Sequence, residues 1–127
     1  MGQNLMLLAG KLMICRLGPD AAVPAWAGRG VLHSITRTAD ELSIVCAEAD
    51  TPSGVEAERG WRAFKVEGPL DLSLTGILAS LAGPLAEARI NIFAISTYDT
   101  DYLLVKESLV HKAAEVLIRS GHSIFGL

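Results

Sequence analysis

The segment with the clearest capacity for chemistry is Ser96-Thr97-Tyr98-Asp99-Thr100-Asp101, a polar knot between the apolar runs "INIFAIS" and "DYLLVKE". Two carboxylates two residues apart could simply build the turn, ligate Mg²⁺ or Mn²⁺, or complement an ammonium group. No third carboxylate, His or Cys stands at ligand spacing, so no metal is expected. Ser34, Ser96 and Thr97 carry hydroxyls, but none sits in a G-x-S-x-G elbow with an implied His partner. Asp99 lies at the reversal and reads as a turn residue, whereas Asp101 begins the next strand, where pairing holds it.

Elements on either side must hold this knot in place. "WRAFKVEG" alternates as a strand with Phe64 and Val66 on one face and ends at Gly68-Pro69. "LSLTGILASLAGPLAEARI" places Leu74, Ile77, Leu78, Leu81 and Leu85 at helical spacing, with Pro84 disturbing the last turn. "INIFAIST" and "DYLLVKE" read as an antiparallel pair. Ser108 is the expected N-cap of "LVHKAAEVLIRS", whose apolar stripe is Leu109, Ala113, Val116 and Leu117; Gly121 stops that helix and "HSIFGL" is a last strand. This order predicts an α+β, ferredoxin-like βαββαβ unit with both helices on one sheet face.

The first half reads as a shortened version of the second. "LLAGKLMICRL" is one strand, "GPDAAVPAWAGRG" has room for a turn or two of helix around Pro24, and "VLHSITRTADELSIVCAE" is a hairpin. Ile35 and Ile95, Glu41 and Asp101, Ile44 and Leu104, Val45 and Val105 are each 60 apart, which aligns the two hairpins. The expected division is 1–60 for a shortened half and 61–127 for a complete one.

Composition bounds the function. The 127 residues are 50% hydrophobic and 20% charged, with a net charge of −3 and no Lys/Arg cluster, so neither nucleic acid nor an anionic membrane surface is an expected partner. Trp26 and Trp61 are too isolated to stack bases. The apolar start "MGQNLMLLAGKLMIC" is interrupted at Lys11, short of a membrane span and without a basic leader, so a cytoplasmic protein is expected. Cys15 and Cys46 lie in separate strand-like runs and read as buried thiols; His33, His111 and His122 read as surface or cap residues.

"TGILASLAGPLAEARINIFAISTYDTDYLLVKES" resembles an ACT domain, the small regulatory module that binds amino acids. It is most similar to the final ACT module of eukaryotic cytosolic arginine sensors and to small bacterial proteins built from two ACT-like halves. The resemblance implies a non-catalytic, cofactor-free homodimer that binds a free amino acid. It also implies a site in which Asp101 meets the α-amino group while the loop Ser73, Leu74, Thr75, Gly76 and Ile77, with Ser96 and Thr97 opposite, holds the rest. Gly76 at a helix start would let a carboxylate approach backbone N–H groups. Leu74 stands where the arginine sensors carry an acidic residue, so a neutral amino acid is expected. The rival readings are a small enzyme on the same scaffold and an interaction module with a vestigial site.

Overall fold

The structure is a computed structural model that describes residues 2–48, 52, 54–70 and 75–127. It divides into two compact units: one from Ala9 to Trp61, the other comprising the residues up to Leu8 together with Arg62–Leu127.

In the C-terminal unit, strand β1 (Asn4–Leu7) and the later part of β5 (Ala57–Val66) are followed by α1 (Ile77–Glu87), β6 (Phe93–Ser96), β7 (Asp101–Lys106), α2 (Val110–Arg119) and β8 (Ser123–Phe125). The strands lie in the order β6-β7-β5-β1-β8. The expected βαββαβ order is present, with one addition: β1 lies antiparallel to β5 and parallel to β8, between the two. Sequence alternation marks Leu5 and Leu7 as one buried face but says nothing about which sheet the strand joins. Both contribute to a core with Phe64, Val66, Leu81 and Leu117, which are 0% exposed.

Local chemistry explains the differences from expectation within these elements. Ser108 does not cap α2; Glu107–Leu109 form a 3₁₀ turn and the helix begins at Val110 without a side-chain cap. The buried stripe accordingly runs through Val110, Ala113, Ala114 and Leu117, with Leu109 and Val116 only partly buried against the same core. Gly121, at φ 99°, ends the helix as expected, with the His122 N–H donating to the Leu117 carbonyl at 3.0 Å. Helix α1 continues through Pro84. A proline cannot donate to the carbonyl four residues back, here that of Ser80. His122 Nε2 donates to that oxygen instead, at 3.1 Å, while Nδ1 accepts the Gln3 N–H at 3.0 Å. His122 is thus a buried link, 5% exposed, and not a surface residue.

The N-terminal unit contains β2 (Leu12–Leu17), a 3₁₀ turn (Ala25–Gly28), β3 (Ser34–Arg37), β4 (Leu42–Ala47) and the first part of β5, in the order β3-β4-β2-β5. The single strand expected over "LLAGKLMICRL" is interrupted between β1 and β2, where Gly10 takes φ 88°. Met13, Cys15, Leu42, Ile44 and Cys46 pack with Ala27 as its core. Both cysteines are buried thiols. Among its described residues there is no α-helix.

The two hairpins match more closely than the sequence offset suggests, and at a different spacing. Thr38 and Thr97 begin the two turns: Thr38 N–H donates to the Glu41 carbonyl at 2.9 Å, and Thr97 N–H to the Thr100 carbonyl at 2.8 Å. Each threonine Oγ1 then accepts the N–H three residues on, at 3.2 Å in both. These residues are 59 apart, so Leu42, and not Glu41, corresponds to Asp101. Burial agrees, since Ile44, Val45 and Cys46 are buried like Leu103, Leu104 and Val105. A strand's faces repeat every two residues, so apolar pattern alone left the offset uncertain by one.

Candidate ligand-binding site

The polar knot is a four-residue turn closed by the pair Ser96 and Asp101. Its hydroxyls are mostly consumed in building it. Thr100, 5% exposed, donates through Oγ1 to the Val66 carbonyl at the end of β5, at 2.6 Å. The Leu70 N–H donates to the Asp99 carbonyl at 2.6 Å. Gly68 allows a close approach beneath the knot: a Cβ there would lie 3.0 Å from the Asp99 carbonyl oxygen and 3.2 Å from the Thr100 Cβ. The turn is therefore fastened to the end of β5 by one hydrogen bond, and to the residues just after it by a second and by one close backbone approach.

The two carboxylates are treated differently. Asp101 is half-buried, and its Oδ1 accepts the Ser96 hydroxyl proton at 2.6 Å, the short distance of a charge-assisted bond. This leaves Oδ2 for another donor. Asp99 is fastened through its main chain, and its side chain is exposed.

Opposite stands the start of α1. Gly76 has φ 80° and ψ −3°, a left-handed conformation that side chains strain to adopt, and it caps the helix with no side-chain hydrogen bond. The first-turn N–H groups of Ile77 and Leu78 have no intrahelical acceptor and carry the positive end of the helix dipole. Gly76, Ile77, Leu78 and Leu70 on this side and residues 96–101 on the other enclose a cleft of about 240 Å³. That is below the roughly 300–1,000 Å³ of sites for drug-sized ligands, and suits a small metabolite.

Of the residues expected in a site, Asp101, Gly76, Ile77, Ser96 and Thr97 meet in this cleft. Thr75 is exposed next to Gly76 and is not among the lining residues. Ser73 and Leu74 lie outside the described residues. Tyr98, Asp99 and Thr100, the rest of the polar knot, also line the cleft, as do Leu70 and Leu78, which were not anticipated. Leu78 could have been found from its place one residue after Ile77 at the helix start. Leu70 could not, because only the bond to Asp99 brings it there. Among the described residues, no three His, Cys, Asp or Glu side chains are grouped to hold a metal ion, and no helix is long and apolar enough to cross a membrane.

A family model described as an ACT domain matches residues 56–119, which include Gly76 and the whole of the 96–101 turn. This chain belongs to the ACT-domain family. A second model, described as an N-terminal domain, matches residues 10–54. A crystal structure of an Agrobacterium tumefaciens protein is 42% identical, with a TM-score of 0.94 over 100% of this chain and 95% of that one. The cytosolic arginine sensor for mTORC1 subunit 1 of Homo sapiens is 43% identical over 60 residues, covering 46% of this chain. The match spans only 18% of that sensor's length. The regulatory subunit of aspartate kinase from Thermus thermophilus shares the fold, with a TM-score of 0.63 at 12% identity over 92% of this chain and 97% of that one. The sequence similarity is thus to part of an arginine sensor, while the regulatory subunit of an enzyme shares the fold.

Proposed function

We propose that this ACT protein is a non-catalytic, cytoplasmic regulatory protein that binds one free amino acid in the cleft between Gly76 and the 96–101 turn, and that it works as a homodimer. One observation carries the reading: a carboxylate oriented by Ser96 faces the N-terminal end of α1 across a cavity of metabolite size. The pairing suits a zwitterion. Asp101 complements the ammonium, and the N–H groups after Gly76 complement the carboxylate, each in a setting where opposite charge is favoured. The similarity of residues 56–119 to ACT domains, and of a 60-residue stretch to an arginine sensor, supports amino acids as the ligand class.

The side chain of the ligand is a separate question. Leu74 supplies no carboxylate to a guanidinium, so a neutral amino acid is the expected ligand in preference to arginine. A thermal-shift panel of the free amino acids tests both statements. A ligand that binds only the folded state at 100 times its Kd adds about 2.7 kcal/mol of stability. A shift with one or a few neutral amino acids is the expected result. No shift with any amino acid would sink the reading, and the largest shift with arginine would reverse the assignment of the ligand's side chain.

A further inference from the structure

The N-terminal unit contains the same hairpin turn, and its own loop after β2 begins Gly18-Pro19, as the loop after β5 contains Gly68-Pro69. With the turns aligned at 59 residues, the counterparts of the cleft residues can be read off directly. Asp40 stands for Asp99, Leu42 for Asp101 and Arg37 for Ser96. The chemistry at these positions is inverted. Leu42 is 0% exposed and offers no charge to an ammonium group. Arg37 donates through Nη1 to the Pro19 carbonyl and through Nη2 to the Ala21 carbonyl at 2.7 Å. Where Leu70 N–H takes the Asp99 carbonyl in one unit, Arg16 Nη2 takes the Asp40 carbonyl at 3.1 Å in the other.

We infer that Arg37 straps the hairpin of the N-terminal unit to the loop after β2, where the C-terminal unit has its cleft, and that with no carboxylate at Leu42 the chain binds one ligand and not two. The planar guanidinium fork suits this task, since two of its N–H donors reach two carbonyls of one loop at once. It places a built-in cation between the hairpin end and the loop that would otherwise face a ligand. The apolar Leu42 in place of a carboxylate and the Arg37 bonds to the loop act in the same direction.

The stoichiometry rests on the proposed function, whereas the strap does not, and the test separates them. Hydrogen exchange of the wild type and of Arg37→Ala reads the strap: amides from Asp20 to Ala27 should exchange roughly fivefold faster in the variant, the factor expected for loss of one ordinary hydrogen-bond contribution. Amides around Gly76 and Thr97 should be unchanged. Arg37→Lys keeps the charge without the fork and should fall between the two. Calorimetry with the neutral amino acid that gives the largest thermal shift should return one site per chain in both wild type and Arg37→Ala. Unchanged exchange at Asp20–Ala27 would overturn the strap, and two sites per wild-type chain would overturn the single-ligand inference. If no amino acid binds, the functional reading fails and exchange alone decides the strap.

Discussion

Asp101 and Asp99 differ by two positions in the chain and by much more in their surroundings. Asp101 is held by strand pairing with Ser96 and by the Ser96 hydroxyl at 2.6 Å, so its remaining oxygen is oriented before a ligand arrives. Asp99 holds the structure through its carbonyl, and its exposed carboxylate is well solvated. A hydrogen bond to a charged group contributes about 1.5–3 kcal/mol, so Asp101→Asn should weaken amino-acid binding roughly tenfold to a hundredfold, and Asp99→Asn should change it little. Calorimetry on the two variants distinguishes them, and equal losses would remove the assigned role of Asp101. Cys15 makes a second residue-scale prediction. Burial, reinforced by the neighbouring Cys46, pushes its thiol up from 9.0 to about 12. The folded state therefore holds the proton more tightly than the unfolded state. Its contribution is fully present below about pH 9 and declines between about pH 9 and 12, as the unfolded chain ionises and the folded one resists. Urea titrations across that range should show a steeper alkaline loss for wild type than for Cys15→Ala, and identical pH profiles would contradict this.

At the scale of elements, the most consequential pairing is one that repairs a defect. Pro84 removes the donor for the Ser80 carbonyl inside α1, and His122, 42 residues away in sequence, supplies it while accepting the Gln3 N–H on its other nitrogen. One imidazole thereby connects α1, the chain before β1, and the approach to β8. Truncation leaves two part-buried groups without partners, and since such a group costs about 1–3 kcal/mol when fully buried and less when water can reach it, His122→Ala should destabilise the fold by about 2–4 kcal/mol. In a Pro84→Ala background, residue 84 regains an N–H for Ser80, and the cost of His122→Ala should fall by about 1 kcal/mol. A double-mutant cycle by urea unfolding measures this coupling, and additivity within about 0.5 kcal/mol would show that the histidine does not compensate for the proline.

For the molecule as a whole, the element order of the C-terminal unit was legible because its periods are clean: alternation around Phe64 and Val66, helical spacing through Leu81 and Leu85, and a hairpin at the knot. The insertion of β1 between β5 and β8 was not legible, because the strand's partners lie more than 50 residues away and a two-residue period fits any sheet. Among the described residues, β6 and β8 each pair on one side only in this unit, which leaves two short edges. Unpaired edges are commonly covered by a second chain, and this supports the proposed homodimer. Light scattering from micromolar to millimolar concentration should report a dimer, and a monomer throughout would remove that part of the proposal.

The sequence by itself determined what local chemistry can determine. It placed a Gly at the start of α1 and Thr-x-Asp-x turns in both hairpins, and it supplied the residues of a recognisable ACT segment. These depend on φ preferences and on hydrogen bonds spanning a few residues. Tertiary structure decided which carboxylate is oriented, since that follows from the register that sets Ser96 opposite Asp101. It also decided that Leu70 joins the cleft and that His122 is buried, and it set the hairpin offset at 59, which turns Arg37 from a surface charge into a strap. Each of these is a contact between residues distant in the chain, and the strength of such a contact is set by a separation and an angle that only the folded backbone defines.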